Sequence, residues 1–360
     1  MPDPICGPDE ILMRTEAVSI CSTDVSYYRG HLFPARWPIV PGHEYVGRVV
    51  QIGSRLEQDI RLDDRLVYWG QTDFWGMAEF RTIRPLLPQH RLETSWYTQR
   101  NFYDADQAAA VVVPAEIPAS LATIVEPLTS VLRSLLTNPP RPGDVCVVLG
   151  CGPCGLLAVQ VLHKYLGAGL VVVADRDPAR LRVALELGAD QAFNTDLDTT
   201  ELEAIVRNNH DSFADYLFDA LPHVTVANGD GKDVRQLGMG LLRPGGTYVV
   251  YGATETPQMI NTWLILAKGL RLVAAPFDVR LFPMARSAHV ARIALSLIRD
   301  GVIKAERLVT RSIRANDEAA ISEAFANYGA NGDLKTSIAY HDPDSPGADE
   351  RVGSGLTVGS

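Results

Sequence analysis

The stretch from Val145 to Asp175 constrains the fold of this chain more than any other. An apolar run ends at Gly150, glycines with the spacing Gly-x-Gly-x-x-Gly follow, and helical periodicity then leads to a second apolar run that ends at Asp175. This order predicts a buried parallel strand, a glycine turn, a helix and a second buried strand. We therefore expect a doubly wound α/β domain with a ligand-binding crevice at the turn.

The glycines of this turn have separate tasks. Gly150 allows the tight turn, Gly152 allows a pyrophosphate to approach the backbone, and Gly155 lets the helix pack closely on the strand. Pro153 and Cys154 complete the start of the helix, where unpaired N–H groups and the helix dipole favour phosphate. The turn therefore predicts dinucleotide binding, and a doubly wound domain with an empty crevice is the alternative.

Asp175 supports the dinucleotide interpretation and bears on which dinucleotide binds. It ends the second strand 20 residues after Gly155, where a carboxylate can accept hydrogen bonds from the adenosine ribose hydroxyls. The same carboxylate repels a 2′-phosphate, which favours NAD over NADP. Arg176 and Arg180 lie close by in the sequence and would weaken this preference.

Composition excludes several classes of partner. The formal net charge is −10 and no basic tract stands out, so neither nucleic acid nor an anionic membrane surface is expected. No apolar run approaches the ~20 residues of a membrane span, and the N-terminus does not resemble a signal peptide. Five cysteines are too few and too irregularly spaced for a disulfide framework. We therefore expect a cytoplasmic protein.

The remaining segments predict two domains. Short alternating segments broken by Pro and Gly precede the glycine turn and indicate a small, mostly β domain. After the turn, strands alternate with helices, which indicates a parallel sheet covered on both faces. A long helix from Ala285 to Arg299 then leads back to short segments, so the chain is expected to rejoin the first domain. The expected division is 1–122 with 276–340 for the β-rich domain, 123–275 for the dinucleotide domain, and 341–360 for a disordered tail.

A second group of residues points to a metal. Cys21 lies in a polar turn, His43 and Glu44 follow a Pro-Gly break, and Glu126 is an acid in the first turn of an apolar helix. A thiolate, an imidazole and a carboxylate with an open fourth position form a catalytic zinc site. Glu44 and Glu126 compete for the carboxylate role, and Glu126 has the alternative of a favourable charge at a helix N-terminus. Asp24 would accept a hydrogen bond from the imidazole nitrogen that does not bind metal.

Six motifs, in this order, resemble the zinc-dependent medium-chain dehydrogenase/reductases. They are Cys-Ser-Thr-Asp, Gly-His-Glu, Met-Ala-Glu-Phe, Val-Glu-Pro-Leu, Gly-Cys-Gly-Pro-Cys-Gly and Leu-Arg-Pro-Gly-Gly. The Glu-Pro-Leu form is most similar to the polyol branch, with its sorbitol, threonine, cyclitol and aminocyclitol dehydrogenases. The resemblance implies a GroES-like, mostly β catalytic domain split around a Rossmann domain, and a homodimer or homotetramer.

The resemblance also implies a function and roles for particular residues. The expected reaction is hydride transfer between NAD and a secondary alcohol of a polyol, sugar, cyclitol or aminocyclitol. Cys21, His43 and a carboxylate would hold zinc, with Glu44 counted among the catalytic residues as well. Thr23 would bind the substrate hydroxyl and take its proton. Ser26 stands where many members have a proton-relaying His, so it would relay the proton but not store it.

Two further expectations concern zinc number and substrate. The four-cysteine lobe that holds a structural zinc in the family is absent between Tyr68 and Trp75, so one catalytic zinc and no structural zinc is expected. Aromatic and polar residues in the β-rich domain suit a polyhydroxylated substrate. The candidates for this pocket are Tyr27, Tyr28, Trp69, Trp75 and the segment 277–280 with Arg280.

Two other functions also fit these residues. One is a zinc-free reductase of the same superfamily. The other is a catalytically silent NAD(H)-binding redox sensor, because family members usually have an additional strand before the segment with which this chain starts.

Overall fold

The computed structural model describes residues 3–32, 38–70, 75–88, 107–195, 214–221, 234–252, 260–276, 281–330 and 332–340. The strands are β1 (Ile11–Ser19), β2 (Glu44–Ile52), β3 (Arg65–Trp69), β4 (Phe80–Ile83), β5 (Pro85–Leu86), β6 (Ala108–Val112), β7 (Val145–Leu149), β8 (Leu170–Asp175), β9 (Gln191–Asn194), β10 (Ala214–Asp219), β11 (Leu242–Val250), β12 (Arg271–Val273), β13 (Val309–Arg314) and β14 (Lys335–Ala339). The α-helices are α1 (Ser22–Tyr28), α2 (Ala119–Ala122), α3 (Val125–Thr137), α4 (Pro153–Gln160), α5 (Pro178–Leu187), α6 (Val234–Leu241), α7 (Thr262–Lys268), α8 (Met284–Arg299) and α9 (Glu318–Ala326).

Strands from both ends of the chain form the first sheet. Within the described residues its order is β13-β14-β1-β2-β3-β6-β5, and β4 also pairs with β1. Most pairs are antiparallel, and β1 alternates between buried and half-buried positions along its first six residues. The C-terminal strands β13 and β14 thus join the N-terminal β region, as the return to short segments predicts.

The second sheet is parallel throughout. Its described order is β12-β11-β10-β7-β8-β9, and every adjacent pair is parallel. All residues of β7 and β8 are buried, which is the property of strands covered on both faces. The order reverses between β7 and β10, and this reversal places a ligand crevice at the carboxyl ends of those strands. The α/β fold with a Rossmann sheet is confirmed.

The Arg-Pro-Gly-Gly segment 243–246 lies inside a strand. Proline and glycine are typical of a break between elements, yet β11 begins already at Leu242. The register against β10 jumps between Ala214/Leu242 and Tyr216/Thr247, and Gly245 takes a φ of 74°. The segment is accommodated as an irregularity inside the strand.

Helices α3 and α8 pack against each other and against strands of the first sheet. One hydrophobic cluster contains Val46 and Val67 of the first sheet, Leu132 of α3, and Val148 and Leu156 of the second unit. By length and composition, Ala119–Thr137 is apolar enough to cross a membrane, but 67% of its apolar window is buried inside the protein. We interpret it as a core helix. The tail 341–360 and Arg280 lie outside the described residues.

Candidate active site

Two adjacent strands bring the predicted metal ligands together. Cys21 follows β1 and caps α1, and His43 directly precedes β2. Ser19 of β1 pairs with Glu44 of β2, so the segment that follows β1 and the segment that precedes β2 lie side by side. The donor atoms of Cys21, His43 and Glu44 all lie within 4.8 Å of one another. We call these three residues the metal triad.

Asp24 fixes the geometry of the metal triad. It is buried, and its carboxylate accepts hydrogen bonds from the backbone N–H of Cys21 and of Gly42, each at 2.9 Å. Its Oδ1 lies 3.5 Å from His43 Nδ1, which leaves Nε2 as the nitrogen for a metal. Although burial opposes ionisation, the positive charge of His43 and these N–H donors lower the pKa of Asp24. The predicted supporting role of Asp24 therefore has a geometric basis.

Lys335 is a site residue that the sequence interpretation missed. It forms a buried ion pair with Glu44 Oε1, and the two side chains are 2% and 1% exposed. Although burial disfavours the ammonium, the negative charges of Glu44 and Cys21 raise its pKa. A single lysine at the start of the short strand β14 belongs to no motif, so no pattern in the sequence identified it.

The donors of the metal triad fit zinc. Burial opposes ionisation of Cys21, but the positive charges of Lys335 and His43 lower the pKa of its thiol to about 5. A thiolate is the form that zinc requires. Glu44 Oε2 is buried and has no hydrogen-bond partner among the described residues, so this oxygen remains available while Oε1 contacts Lys335.

Glu126 lies beside the metal triad in the first turn of α3. It is half-buried. Burial and the negative charge of Cys21 raise its pKa to about 7, although the positive charge of His43 opposes the shift. The charge of Glu126 and the charges of the metal triad therefore act on each other. The group of donor atoms that lie within 4.8 Å of one another contains Glu44 and not Glu126. Both carboxylates remain candidates for the metal.

The hydroxyls of α1 differ in their surroundings. Thr23 Oγ1 lies 3.7 Å from Cys21 Sγ, next to the metal triad. Ser26 Oγ donates a hydrogen bond of 2.9 Å to the carbonyl of Ser22 one turn earlier. Thr23 is thus placed for contact with a substrate at the metal, whereas a relay through Ser26 needs its hydroxyl to leave the helix backbone.

The predicted substrate residues have different environments. Tyr27 and Trp75 are half-buried, and Trp75 has a φ of 55°, which is costly for a bulky residue. The backbone N–H of Trp75 donates a hydrogen bond to the carbonyl oxygen of Val40, which lies three residues before His43. Tyr28 is exposed and packs against Phe325, with ring centroids 5.5 Å apart.

Trp69, predicted for the substrate pocket, lies in a more enclosed environment than Tyr27 and Trp75. The side chain is buried, its Nε1 donates to Ser130 Oγ at 2.7 Å, and the guanidinium of Arg133 lies 3.9 Å from the ring centroid. Aromatic residues in small β domains are often part of the core, and spacing alone does not separate the two cases.

The glycine turn has the shape that a pyrophosphate needs. Gly150 has a φ of 88°, and a Cβ on Gly155 would lie 1.8 Å from the carbonyl oxygen of Gly150. A Cβ on Gly152 would meet nothing within 4 Å, so the backbone there faces open space. Gly152 caps α4, and Pro153 and Cys154 are its first residues. This open helix N-terminus fits the phosphates of a dinucleotide.

Asp175 has a structural role in addition to its predicted one. Its Oδ2 accepts a hydrogen bond from Cys151 N at 2.6 Å, and its Oδ1 accepts one from Asp177 N at 2.8 Å. Ribose hydroxyls would therefore share oxygens that already hold the glycine turn. Arg176 is exposed, while the guanidinium of Arg180 donates to Gly329 O at 2.8 Å. Arg180 thus contacts the region that follows α9.

Comparisons with known proteins decide the family. Residues 7–79 match the alcohol dehydrogenase GroES-like domain, and residues 153–278 match the zinc-binding dehydrogenases. The chain belongs to the zinc-dependent alcohol dehydrogenase family. This membership confirms the predicted medium-chain superfamily and its polyol branch, and the chain is an oxidoreductase that acts on CH–OH groups of small-molecule alcohols.

Individual relatives agree with this membership. A sorbitol dehydrogenase of Halalkalibacterium halodurans is 27% identical, over 86% of each chain. A Mycobacterium tuberculosis protein described as a probable alcohol dehydrogenase is 30% identical, again over 86% of each chain. The solved structure of an alcohol dehydrogenase from Escherichia coli CFT073, in complex with NADH, has a TM-score of 0.73 at 20% identity and covers 94% of each chain; at this identity it shows the fold.

Proposed function

We propose that this family member is an NAD-linked dehydrogenase that oxidises a secondary alcohol of a polyhydroxylated compound, with one zinc ion at the metal triad. The observation that carries this proposal is the grouping of the donor atoms of Cys21, His43 and Glu44 within 4.8 Å. Burial raises the pKa of Cys154 in the glycine turn, and the negative charges of Cys21 and Glu44 add to this rise, which supports a cofactor site close to the metal triad.

The residues of the chain would divide the work of the reaction. When bound, zinc supplies Lewis-acid chemistry that lowers the pKa of an alcohol hydroxyl. Thr23 would accept the hydroxyl proton and Ser26 would pass it outward, and NAD, when bound at the glycine turn, would supply the hydride acceptor. Asp24 would keep His43 oriented, and the hydrophobic cluster that α3 shares with both sheets would hold the two sites in register.

Two carboxylates, those of Glu44 and Glu126, are available to the zinc site. Glu44 offers Oε2, and Glu126 lies beside the triad. We propose that Glu44 is a zinc ligand and that Glu126 contributes a second carboxylate. Zinc retention after Glu44→Gln and after Glu126→Gln, with Asp317→Asn on the surface cap of α9 as a control, separates their contributions.

The preference for NAD follows from charge at the end of β8. Asp175 would accept the ribose hydroxyls and disfavour a 2′-phosphate, with Arg176 as the nearby opposing charge. Catalytic efficiency with NAD should exceed that with NADP by about tenfold or more, roughly 1.4 kcal/mol. Asp175→Ser should narrow the gap, and equal use of both cofactors by the unaltered protein would assign the selectivity to the arginine instead.

We further propose the domain limits 1–122 with 276–340 and 123–275, a cytoplasmic location, and a homodimer or homotetramer. The assembly is supported by an apolar surface near the edge strand β12, where Ile260, Trp263 and Leu266 are 49%, 69% and 76% exposed. An edge strand offers unpaired backbone groups to a second copy. Trp263→Glu should lower the mass measured by light scattering, and an unchanged mass would place the interface elsewhere.

The function is tested by turnover with NAD across polyols, sugars, cyclitols and aminocyclitols. Thr23→Val should reduce turnover of the best substrate by the ~10²–10⁴-fold typical of losing an acid–base group, with zinc and NADH still bound. Ser26→Ala should have a small effect. Turnover without zinc would support a reductase of the zinc-free type, and NADH binding with no turnover across the panel would support a sensor.

A further inference from the structure

Two side chains meet between the glycine turn and the end of a neighbouring strand. Cys154 is the second residue of α4, and Tyr251 directly follows β11. The Tyr251 hydroxyl donates a hydrogen bond to Cys154 Sγ at 3.3 Å. Because β10 lies between β7 and β11 in the sheet, this contact spans the carboxyl end of β10. It therefore crosses the crevice that the reversal of strand order creates.

The contact lies where the nicotinamide half of a dinucleotide would be, an argument that rests on the proposed function. The adenosine ribose is expected at Asp175 after β8 and the pyrophosphate at Gly152 after β7. Continuing in the same direction along the sheet leads to β10 and β11, and so to Tyr251. Burial, Cys154 and the charges of Glu126 and Cys21 raise the pKa of Tyr251, in agreement with this position. The contact between Tyr251 and Cys154 therefore lies at the crevice, on the side of β10 and β11.

Both partners of the contact are held firmly. Tyr251 N donates to Asp219 O at 3.1 Å, and the Tyr251 ring packs on Phe218 with centroids 5.0 Å apart. The next residue is Gly252, where a Cβ would lie 1.9 Å from Leu221 O, so the backbone is closely packed on the adjoining turn. Cys154 is fixed by the start of α4. The pair consequently forms a surface of fixed position.

We propose that Tyr251 and Cys154 act as one hydrogen-bonded unit that sets the position of the nicotinamide ring relative to the metal triad. The hydrogen bond fixes the Cys154 side chain, and the sulfur with the edge of the phenol ring gives the nicotinamide a polarisable surface to pack on. Hydride transfer depends on close and aligned carbons. Tyr251 is thus a positioning residue, and it exchanges no proton or hydride with the substrate.

The test is a double-mutant cycle of Tyr251→Phe and Cys154→Ala, with Cys154→Ser as the variant that keeps a hydrogen-bond acceptor. Tyr248→Phe is the matched control, because it removes a phenol hydroxyl from the same strand that bonds Asp219 at 2.9 Å instead of Cys154. The dissociation constant of NADH is measured by its fluorescence. The primary deuterium isotope effect is measured with the substrate labelled at the carbinol carbon.

Tyr251→Phe and Cys154→Ala should each raise the dissociation constant of NADH between about two- and tenfold, the range expected for one hydrogen bond. Each of these two substitutions should also change the isotope effect. The double variant should be no weaker than the poorer single variant, because the two residues act together. Cys154→Ser should lose less NADH affinity than Cys154→Ala, because its hydroxyl still accepts the hydrogen bond from Tyr251, and zinc content should not change in any variant.

Additive losses in the double variant, or a Tyr251→Phe protein that matches Tyr248→Phe in both measurements, would overturn this inference. Failure of the unaltered protein to bind NADH would overturn the proposed function instead, and the positioning role with it. The binding measurement needs no alcohol substrate, so the two kinds of failure are distinguished before turnover is measured.

Discussion

The glycine turn and the metal triad are built on different principles. The turn is a contiguous stretch whose geometry is set by the backbone, with a positive φ at Gly150 and an approach at Gly155 that no side chain fits. The metal triad draws on separate segments, and its neighbours Glu126 and Lys335 come from still more distant ones. The turn is defined by sterics, and the triad by the balance of charges around buried side chains.

This difference determines how each site responds to substitution. In the glycine turn, an added methyl group lowers stability only where it overlaps with neighbouring atoms. The size of this effect therefore depends on the position of the substitution and not on charge. Removing one charged group from the triad leaves its partner buried and unpaired, which costs more than the pair contributes. The two regions should therefore fail in different ways, and the substitutions below test that contrast.

The largest expected effect on stability is at Lys335. Lys335→Met removes the cation from a pair that is almost completely buried, so Glu44 is left without its partner. Breaking a buried pair in this way costs roughly 3–5 kcal/mol. Urea denaturation of the metal-free protein measures the loss. Lys335→Met combined with Glu44→Gln should recover much of it, and a double variant as unstable as the single one would show that packing, rather than charge, is responsible.

A smaller effect is expected from a matched pair of substitutions in the glycine turn. Gly155→Ala forces a Cβ against the carbonyl oxygen of Gly150 and should destabilise the protein by about 1–3 kcal/mol, as overpacking does. Gly152→Ala meets open space, so it should leave the melting temperature unchanged while weakening NADH binding. Equal stability of the two variants would contradict the steric account of the turn.

The smallest expected effect is a change in pH dependence at Glu126. Because its pKa is raised from 4.5 to about 7, the folded metal-free protein retains a proton there that the unfolded chain loses. The contribution of Glu126 to stability therefore falls as the pH rises through this interval. Glu126→Gln should flatten the fall in unfolding free energy of the metal-free protein between these pH values. Identical profiles for both proteins would remove Glu126 from the electrostatics of the triad.

The two regions also differ in how well the sequence predicts them. The strand, turn, helix and strand around Gly150 followed from local periodicity and spacing, and the sheet has the predicted parallel order. The resemblance to the dehydrogenases brought together Cys21, His43 and Glu44, which lie close in space. Lys335 is far from any motif, and its role exists only because β14 pairs with β1. Buried ion pairs of this kind depend on long-range strand order.

Trp69 and Asp175 illustrate the same limit. An aromatic residue at the end of a strand has the same pattern whether it lines a pocket or packs under Arg133, as Trp69 does. An acid at the end of the second Rossmann strand is expected to contact ribose. Both carboxylate oxygens of Asp175, however, also accept hydrogen bonds from backbone N–H groups, those of Cys151 and Asp177. The sequence indicates which residue types stand at these places, while their hydrogen-bond partners depend on the folded chain.

The most direct test of this account measures zinc per chain and NADH affinity together in the unaltered protein and in Cys21→Ser and His43→Ala. The account predicts close to one zinc per chain in the unaltered protein and almost none in the two variants. NADH affinity should stay within about threefold in all three, because the shape of the glycine turn is set by its own backbone rather than by the charges of the metal triad. A zinc content near two, or near zero in protein that turns over alcohols, would contradict the account.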